Sequence, residues 1–258
     1  LPQPPSLHVA IERSPVAEFA RLGGPTQPTL YRLRMPRRVK APLLAALACV
    51  LLIPPLAVAA YSLGPLQDVD LRILLHLRRE EGAINALASV FVNLGDAVPL
   101  LVLLAAVCAI GLRAGRRREV LAAAVVVAGA NVTTQLLKTT LEHARHRAFE
   151  HGIELPWPNS FPSGHTTAAA SIAVALLLVT PAAHRLTAAV LGVALTATVG
   201  LSVVVLGWHY PSDVLGGLLV VGAWGFAALA WLRFRAGRDR ASDTREHRRP
   251  RNLAVSTD

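Results

Sequence analysis

Six long apolar runs alternate with short polar connections along most of this chain. A membrane-spanning helix needs about 20 mostly apolar residues, and the runs are close to this length or longer. The pattern therefore predicts an all-α, polytopic membrane helical bundle with six transmembrane helices. We place the spans at approximately 41–63, 86–112, 119–140, 166–184, 186–207 and 213–233.

The second run is interrupted by the polar or helix-breaking residues Asn93, Gly95, Asp96 and Pro99. We interpret this run as a short outer helix, a break and then the span proper. Asp96 is expected to cap the helix that follows the break, since aspartate is a favoured N-cap residue. The fourth and fifth runs are separated only by residues 181–185, which predicts a tight helical hairpin.

Composition excludes a soluble or a disordered chain. Hydrophobic residues make up 53% of the sequence and charged residues 16%, with a mean hydropathy of +0.46; a soluble domain has about 25% charged residues. The net charge of +10 would suit nucleic acid, but most arginines flank apolar runs as helix-end anchors do. No nucleic-acid partner is therefore expected. Cys49 and Cys108 lie inside apolar runs, which argues against a disulfide framework.

Basic residues predict the orientation, because cytoplasmic loops of membrane proteins are enriched in Lys and Arg. They cluster at three connections that share one side of a six-span arrangement, so both termini are expected in the cytoplasm and the protein in the cytoplasmic (inner) membrane. The clusters are Arg32, Arg34, Arg37, Arg38 and Lys40 before the first span, Arg113, Arg116, Arg117 and Arg118 after the second, and Arg233, Arg235, Arg238 and Arg240 after the last.

The segments 64–85, 141–165 and 208–212 then lie outside. Charged residues of the first of these segments, among them Asp70 and Arg78, predict a solvated amphipathic stretch at the outer surface.

The two ends are expected to differ from the membrane domain at 41–235. Residues 1–40 are predicted to be a disordered basic extension, and 236–258 a disordered basic tail. Residues 1–34 alternatively lie upstream of a real start at Met35. The first run also resembles a secretory signal that ends at residues 57–59, although it is longer than a usual signal core and a retained span is favoured.

The outer segments carry the ionisable residues that a membrane protein uses for function, because such residues are costly near the bilayer. They occur in three groups. These are Lys138, Arg145 and Arg147 after the third span, Ser163, Gly164 and His165 at the start of the fourth, and His209 and Asp213 at the entry to the sixth.

Together these residue types suit phosphate chemistry. Two cations a short loop apart can neutralise a multiply charged anion, and the helix that begins at Ser163 and Gly164 presents N–H groups to phosphate. Of His165 and His209, one neutral imidazole can attack phosphorus while the other protonates the leaving oxygen. Asp213 can hold the nucleophile's second nitrogen. The pattern predicts phosphoryl transfer through a phosphohistidine, without a metal or cofactor.

These residues resemble the type 2 phosphatidic acid phosphatase (lipid phosphate phosphatase) superfamily, whose pattern is K-x6-R-P, P-S-G-H and S-R-x5-H-x3-D. The resemblance covers about residues 41–235. It implies metal-independent dephosphorylation with His209 as nucleophile, His165 as general acid, and Lys138 and Arg145 as phosphate ligands. The corresponding residues are Lys138, Arg145 and His146 in the first motif, Pro162, Ser163, Gly164 and His165 in the second, and Ser202, Val203, His209 and Asp213 in the third.

The sequence departs from this pattern at two positions. His146 replaces the proline of the first motif, and Val203 replaces the arginine of the third, which contacts phosphate in the family. Loss of such a contact removes about 2–4 kcal/mol of transition-state stabilisation, or about 30- to 1,000-fold in rate. We hypothesise that Arg147, the nearest spare cation, occupies the gap.

Two functions follow from these observations. The first is an extracytoplasmic lipid phosphate or polyprenyl pyrophosphate phosphatase, for example of undecaprenyl pyrophosphate, with the bilayer and a membrane lipid phosphate as partners. The alternative is a catalytically weak or inactive lipid-phosphate binding or transport protein, which Val203 favours. A phosphotransferase would use the same residues, and the pattern leaves the headgroup and the oligomeric state open.

A zinc site is a further alternative, because His143, His146, His151 and His165 lie close together in the sequence. Their spacing matches no compact ligand set, so no metal is expected.

Overall fold

A computed structural model describes residues 37–78, 81–141 and 160–247 of the chain. The secondary structure within these ranges is helical, which confirms the all-α prediction. The α-helices are α1 (Arg37–Ser62), α2 (Gly64–Leu77), α3 (Ala83–Val92), α4 (Ala97–Arg113), α5 (Arg117–Thr140), α6 (Gly164–Val179), α7 (Arg185–Val205) and α8 (Pro211–His247). Short 3-10 turns follow α3 at Asn93–Gly95 and precede α7 at Ala182–His184.

Four of these helices, α1, α5, α7 and α8, are long and apolar enough to cross a membrane. The helices α3 and α4 form a pair bent by 60° and provide a fifth span if they cross together. The helix α6 has 16 residues, fewer than the roughly 20 of a full span. The described residues thus contain four or five candidate spans, and the six-span count and the side of the termini stay predictions.

The bend between α3 and α4 lies where the sequence predicts a break. The 3-10 turn Asn93–Gly95 leads into Asp96, which is extended (φ −72°, ψ 161°) and precedes α4. Pro99 lies in the first turn of α4, where a missing N–H is tolerated. Gly95 packs so tightly on α6 that a β-carbon there would lie 2.9 Å from Cα of His165. The bend therefore brings the start of α4 against the start of α6.

The helix α6 lies in the middle of the bundle and packs against α4, α5, α7 and α8. Its residues 168–171 are small and buried. Small side chains let helix backbones approach closely in membrane bundles; a β-carbon on Gly192 of α7 would lie 2.8 Å from Cβ of Ala173. The surrounding helices expose large apolar side chains, including Leu44, Leu101 and Leu186, on a scale typical of a lipid-facing surface rather than of a soluble monomer.

The outer segment departs at one buried charged residue from the solvated stretch that its charges predict. It folds as α2, and Asp70 in its middle is only 2% exposed. Asp70 accepts hydrogen bonds from the backbone N–H of Ser212 (3.0 Å) and from the Ser212 hydroxyl (2.5 Å). The prediction failed because both partner groups lie 142 positions away in the sequence.

The predicted disordered tail is also partly wrong, since α8 continues through residues 236–247. Arg235 and Arg238 stack over Trp231 and Phe234, at 5.9 and 6.0 Å from the ring centroids, and Arg118 of α5 pairs with Asp239. These contacts extend an already nucleated helix, which grows at little cost. Residues 1–36 and 248–258 lie outside the described residues.

Candidate active site

A cavity of about 620 Å³ opens where the α3–α4 break, the end of α5, the start of α6 and the loop before α8 meet. It contains four of the residues predicted for the site: Lys138, Gly164, His165 and His209. Polar neighbours from α5 and the break complete its lining, namely Asn131, Gln135, Thr139, Gly95 and Asp96.

The third-motif pair His209 and Asp213 is buried, at 2% and 0% exposure. Nδ1 of His209 lies 3.3 Å from Oδ2 of Asp213, which also accepts a hydrogen bond from the backbone N–H of Tyr210 at 2.9 Å. A carboxylate only accepts hydrogen bonds, so this contact assigns the proton of neutral His209 to Nδ1. Nε2 is then the unprotonated nitrogen, on a side chain that lines the cavity.

Ser163 joins the second motif to the third. Its backbone N–H donates to the carbonyl oxygen of Asp213 at 2.9 Å, and its hydroxyl accepts from the N–H of Thr166 at 3.3 Å as the N-cap of α6. A phosphate contact from the Ser163 N–H would require the first of these bonds to break. Gly164 lines the cavity, so its N–H is the better placed of the two for an anion at this helix start.

His165 contacts Asp96, a residue that the sequence predicts to be a helix cap. Its Nε2 lies 3.2 Å from Oδ1 of Asp96, while Trp208 packs on its ring with centroids 5.6 Å apart. The side chain of Asp96 makes no cap hydrogen bond to α4, so the expected cap is not formed and the carboxylate faces His165 instead. The contact crosses 69 positions of sequence.

His165 precedes the predicted span 166–184. Some of its neighbours lower the pKa of its ring and others raise it. Burial of the ring lowers the pKa of His165, and its electrostatic interactions with His209 and Lys138 lower it further. The hydrogen bond and negative charge of Asp96 raise the pKa, and the net direction is down. The charge of Asp96 is thus what partly restores the ability of His165 to hold a proton.

Lys138 lies in the last turn of α5, on the same helical face as Asn131 and Gln135, and all three line the cavity. Counting 1.5 Å per residue, Lys138 is about 30 Å along α5 from Arg117 at the other end. The remaining cations predicted for the site, Arg145 and Arg147, lie outside the described residues.

The zinc alternative is untested, because three of its four histidines, His143, His146 and His151, also lie outside the described residues. Within the described ranges, no group of three or more His, Cys, Asp or Glu side chains is arranged to hold a metal ion.

Val203, at the position of the family's third-motif arginine, is fully buried. It belongs to an apolar cluster with Leu71 and Leu74 of α2 and Val92 of α3. The side chain at this position thus packs against apolar neighbours from two other helices. A different arginine approaches the same loop: Nε of Arg78 lies 3.1 Å from where a β-carbon on Gly207 would be.

Gly207 itself is required by the backbone, since its φ of +72° lies in the left-handed region that glycine adopts without strain. The loop that turns from α7 into His209 therefore depends on this residue and passes directly beside Arg78.

From the sequence, Asp96 was expected to be a helix cap and Asp70 a solvated surface residue. In the structure Asp96 contacts His165, and Asp70 contacts Ser212 next to Asp213. The available signal for Asp96 was an acidic residue inside an apolar run, which is uncommon unless it serves a function. Asp70 had no such signal, because charged residues surround it in the sequence.

The chain resembles a known protein family over part of its length. Residues 119–236 match the sequence model of the PAP2 superfamily, a stretch that includes all three motifs. This match confirms the family resemblance over that stretch of the chain.

Two individual proteins are also similar to this chain. Decaprenylphosphoryl-5-phosphoribose phosphatase, in two strains of Mycobacterium tuberculosis, is 37% identical over 105 residues, which are 40% of this chain and 55% of the relative. The matched stretch thus spans about half the length of these relatives. The structure of a transmembrane PAP2-type phosphatidylglycerolphosphate phosphatase from Bacillus subtilis superposes with a TM-score of 0.59 at 24% identity, covering 76% of this chain and 96% of that one. The chain therefore has the fold of a multi-pass membrane protein of this type.

Proposed function

We propose that the protein is a metal-independent phosphatase of membrane lipid phosphates that acts through a phosphohistidine on His209. The observation that carries the proposal is the buried His209–Asp213 pair, which opens onto a cavity shared with His165 and Lys138. A nucleophilic imidazole needs an acceptor on its second nitrogen to fix its tautomer and to stabilise the cation that forms. A site that only binds phosphate does not need such a pair.

The reaction follows in two steps. Nε2 of His209 attacks phosphorus, and the bond from phosphorus to the lipid oxygen breaks as His165 donates a proton to that oxygen. His165, now neutral, accepts a proton from a water molecule that attacks the phosphohistidine, which releases inorganic phosphate and restores His209. Lys138, the N–H of Gly164 and, by family resemblance, Arg145 balance the charge of the phosphoryl oxygens.

The substrate we favour is a phosphate monoester carried by a polyprenyl or acyl lipid. The support is the Mycobacterium tuberculosis relative, which by name acts on a decaprenylphosphoryl-linked phosphoribose. The ends of apolar helices surround the cavity, so a headgroup can reach it while the lipid tail stays in the bilayer. The panel of lipids used to test this proposal also contains phosphatidate, phosphatidylglycerol phosphate and undecaprenyl pyrophosphate.

We further infer the six-span topology, with both termini in the cytoplasm and the site outside. The support is the separation along α5, where Arg117 and Arg118 lie at one end and Lys138 at the other. Because arginine-rich connections stay on the cytoplasmic side, the end with Lys138 faces outward. Attachment of a membrane-impermeant reagent to a cysteine placed at Thr139, in cells, tests this orientation.

The decisive experiment measures phosphate release by purified protein from the lipid panel in EDTA. We expect EDTA-resistant release that is abolished in His209→Ala and retained in His184→Ala, a histidine in the turn before α7 that lies outside the cavity. Single-turnover reactions with labelled substrate are expected to leave an acid-labile phosphoryl group on the wild-type chain. Release that persists in His209→Ala, or that EDTA abolishes, would refute the proposed mechanism.

Val203 favours one competing function, a lipid-phosphate binder without turnover, because a buried valine stands where the family's third motif has its arginine. This function predicts lipid phosphate binding with no phosphate release from any panel member. Measuring lipid phosphate binding to the Lys138→Ala variant would show whether the headgroup lies in the cavity, because weaker binding is expected if it does.

A further inference from the structure

A second cavity, of about 680 Å³, lies at the opposite end of α6 from the candidate active site. Leu177 and Leu178 of α6 line it, and Leu178 is about 20 Å along the helix from His165 at 1.5 Å per residue. The turn before α5, the first turn of α5, the first residue of α7 and the middle of α8 form its other walls. No residue of the candidate active site lines this second cavity, which we call the basic cavity.

The basic cavity carries a net positive charge. Arg116, Arg185 and Arg233 line it together with a single acid, Glu119. Arg116 pairs with Glu119 at 3.0 Å, which leaves the charges of Arg185 and Arg233 without a carboxylate among the lining residues. Both of these side chains are exposed; Arg185 is the first residue of α7, and Arg233 lies inside α8 where its apolar part ends. Two such cations beside an apolar cavity match a ligand with an anionic head and an apolar body.

Arg116 adds a second indication of a ligand. Its guanidinium donates to the carbonyl oxygens of Thr180 and Leu178 at 3.2 Å each, and these are orphan carbonyls at the end of α6. Its Nε is buried and, within the described part of the chain, has no hydrogen-bond partner. Buried donors are nearly always satisfied, so an unsatisfied one beside a cavity commonly marks an absent ligand or water.

The apolar side of the basic cavity continues into a longer groove. Val174, Leu177, Val221 and Gly222 line both the basic cavity and an adjoining space of about 800 Å³ between α6, α7 and α8. This groove extends along the bundle as far as Pro211 at the start of α8, and its lining is almost entirely apolar. An acyl chain that starts at the arginines would therefore have apolar side chains along its length toward the other face of the membrane.

We propose that the basic cavity binds an anionic phospholipid, whose phosphate lies between Arg185 and Arg233 and one of whose acyl chains follows the groove. The charge pattern selects an anionic head, and the apolar groove selects a lipid over a soluble phosphate. None of the described residues that line the basic cavity is a histidine, so we treat the lipid there as a bound ligand and not as a substrate. The site is independent of the proposed reaction.

Thermal unfolding of the delipidated full chain in neutral detergent tests this site. Phosphatidylglycerol, phosphatidylcholine with the same acyl chains, and soluble glycerol 3-phosphate are titrated separately. We expect a saturable rise in Tm with phosphatidylglycerol only, and apparent binding at least about 10-fold weaker in the variant Arg185→Gln/Arg233→Gln. Arg113→Gln/Arg117→Gln is the matched control, because it removes the same charge at the same end of the bundle from residues outside the cavity.

Arg233 also donates to the carbonyl oxygen of Arg38 at 3.1 Å, so its loss could weaken the fold directly. Leu177→Trp provides a second variant, since it fills the junction of cavity and groove and leaves every charge in place; it is expected to weaken phosphatidylglycerol binding as well. All titrations are repeated in the His209→Ala background, which makes them independent of turnover. Equal stabilisation by phosphatidylcholine or by glycerol 3-phosphate, or unchanged binding in both cavity variants, would overturn the proposal.

Discussion

The carboxylate of Asp96 lies 3.2 Å from Nε2 of His165, and this contact connects the break between α3 and α4 to the first turn of α6. Gly95 makes it possible, because any side chain there would collide with the backbone of His165. The proposed general acid is thus held by an acidic residue outside the three family motifs, and the contact has a measurable consequence.

Asp96→Asn is expected to shift the pH dependence of kcat/KM. His165 must be protonated to act as the general acid; burial, His209 and Lys138 lower its pKa, and Asp96 raises it. Removing the negative charge lowers this pKa further, so the alkaline limb of the profile moves to lower pH and activity is lost earlier as pH rises. Asp68→Asn, an exposed position on α2 outside the cavity, is the control. An alkaline limb at the same pH in Asp96→Asn and wild type would contradict this role.

Asp213→Asn is expected to reduce kcat by at least about 100-fold. The amide retains the shape of the carboxylate but loses the charge that stabilises the imidazolium form of His209, and it weakens the preference for a proton on Nδ1. The measurement is single-turnover phosphate release, accompanied by thermal unfolding to show that the fold persists. Near-normal turnover in a folded variant would remove Asp213 from the mechanism and leave it as a cap for the Tyr210 N–H.

Asp70→Ala is expected to destabilise the protein by about 1–3 kcal/mol, because it leaves the buried N–H and hydroxyl of Ser212 without their acceptor. Asp68→Ala on the same helix serves as the exposed comparison. Thermal unfolding of Asp70→Ala, Ser212→Ala and the double variant gives the coupling between the two residues. Additive effects in this cycle would show that the pair contributes no joint stabilisation.

Arg147→Ala is expected to lower kcat/KM as much as Arg145→Ala, by about 30- to 1,000-fold, if Arg147 supplies the cation that Val203 lacks. Activity against the preferred lipid phosphate is the measurement. Arg78→Ala is the informative comparison, because Arg78 lies against Gly207 two residues before His209. A neutral Arg147→Ala beside a damaging Arg78→Ala would assign the missing charge to Arg78 instead.

Features that depend on neighbouring residues could be predicted from the sequence alone. Apolar runs specify helices because each turn buries or exposes side chains according to local periodicity, and the break at residues 93–96 was visible as polar residues inside such a run. His209 and Asp213 were paired correctly, since four residues at a helix start bring two side chains together. The order and spacing of the motifs were sufficient for the family resemblance.

Contacts between residues far apart in the sequence depend on the tertiary structure. The contacts from Asp96 to His165, from Asp70 to Ser212 and from Ser163 to the carbonyl oxygen of Asp213 cross 69, 142 and 50 positions. Their existence depends on how the helices cross, which local periodicity does not encode. The same packing buried Val203 among apolar side chains and joined arginines from separate helix ends into the basic cavity. Spacing along the chain therefore specified the motifs, and helix packing specified their surroundings.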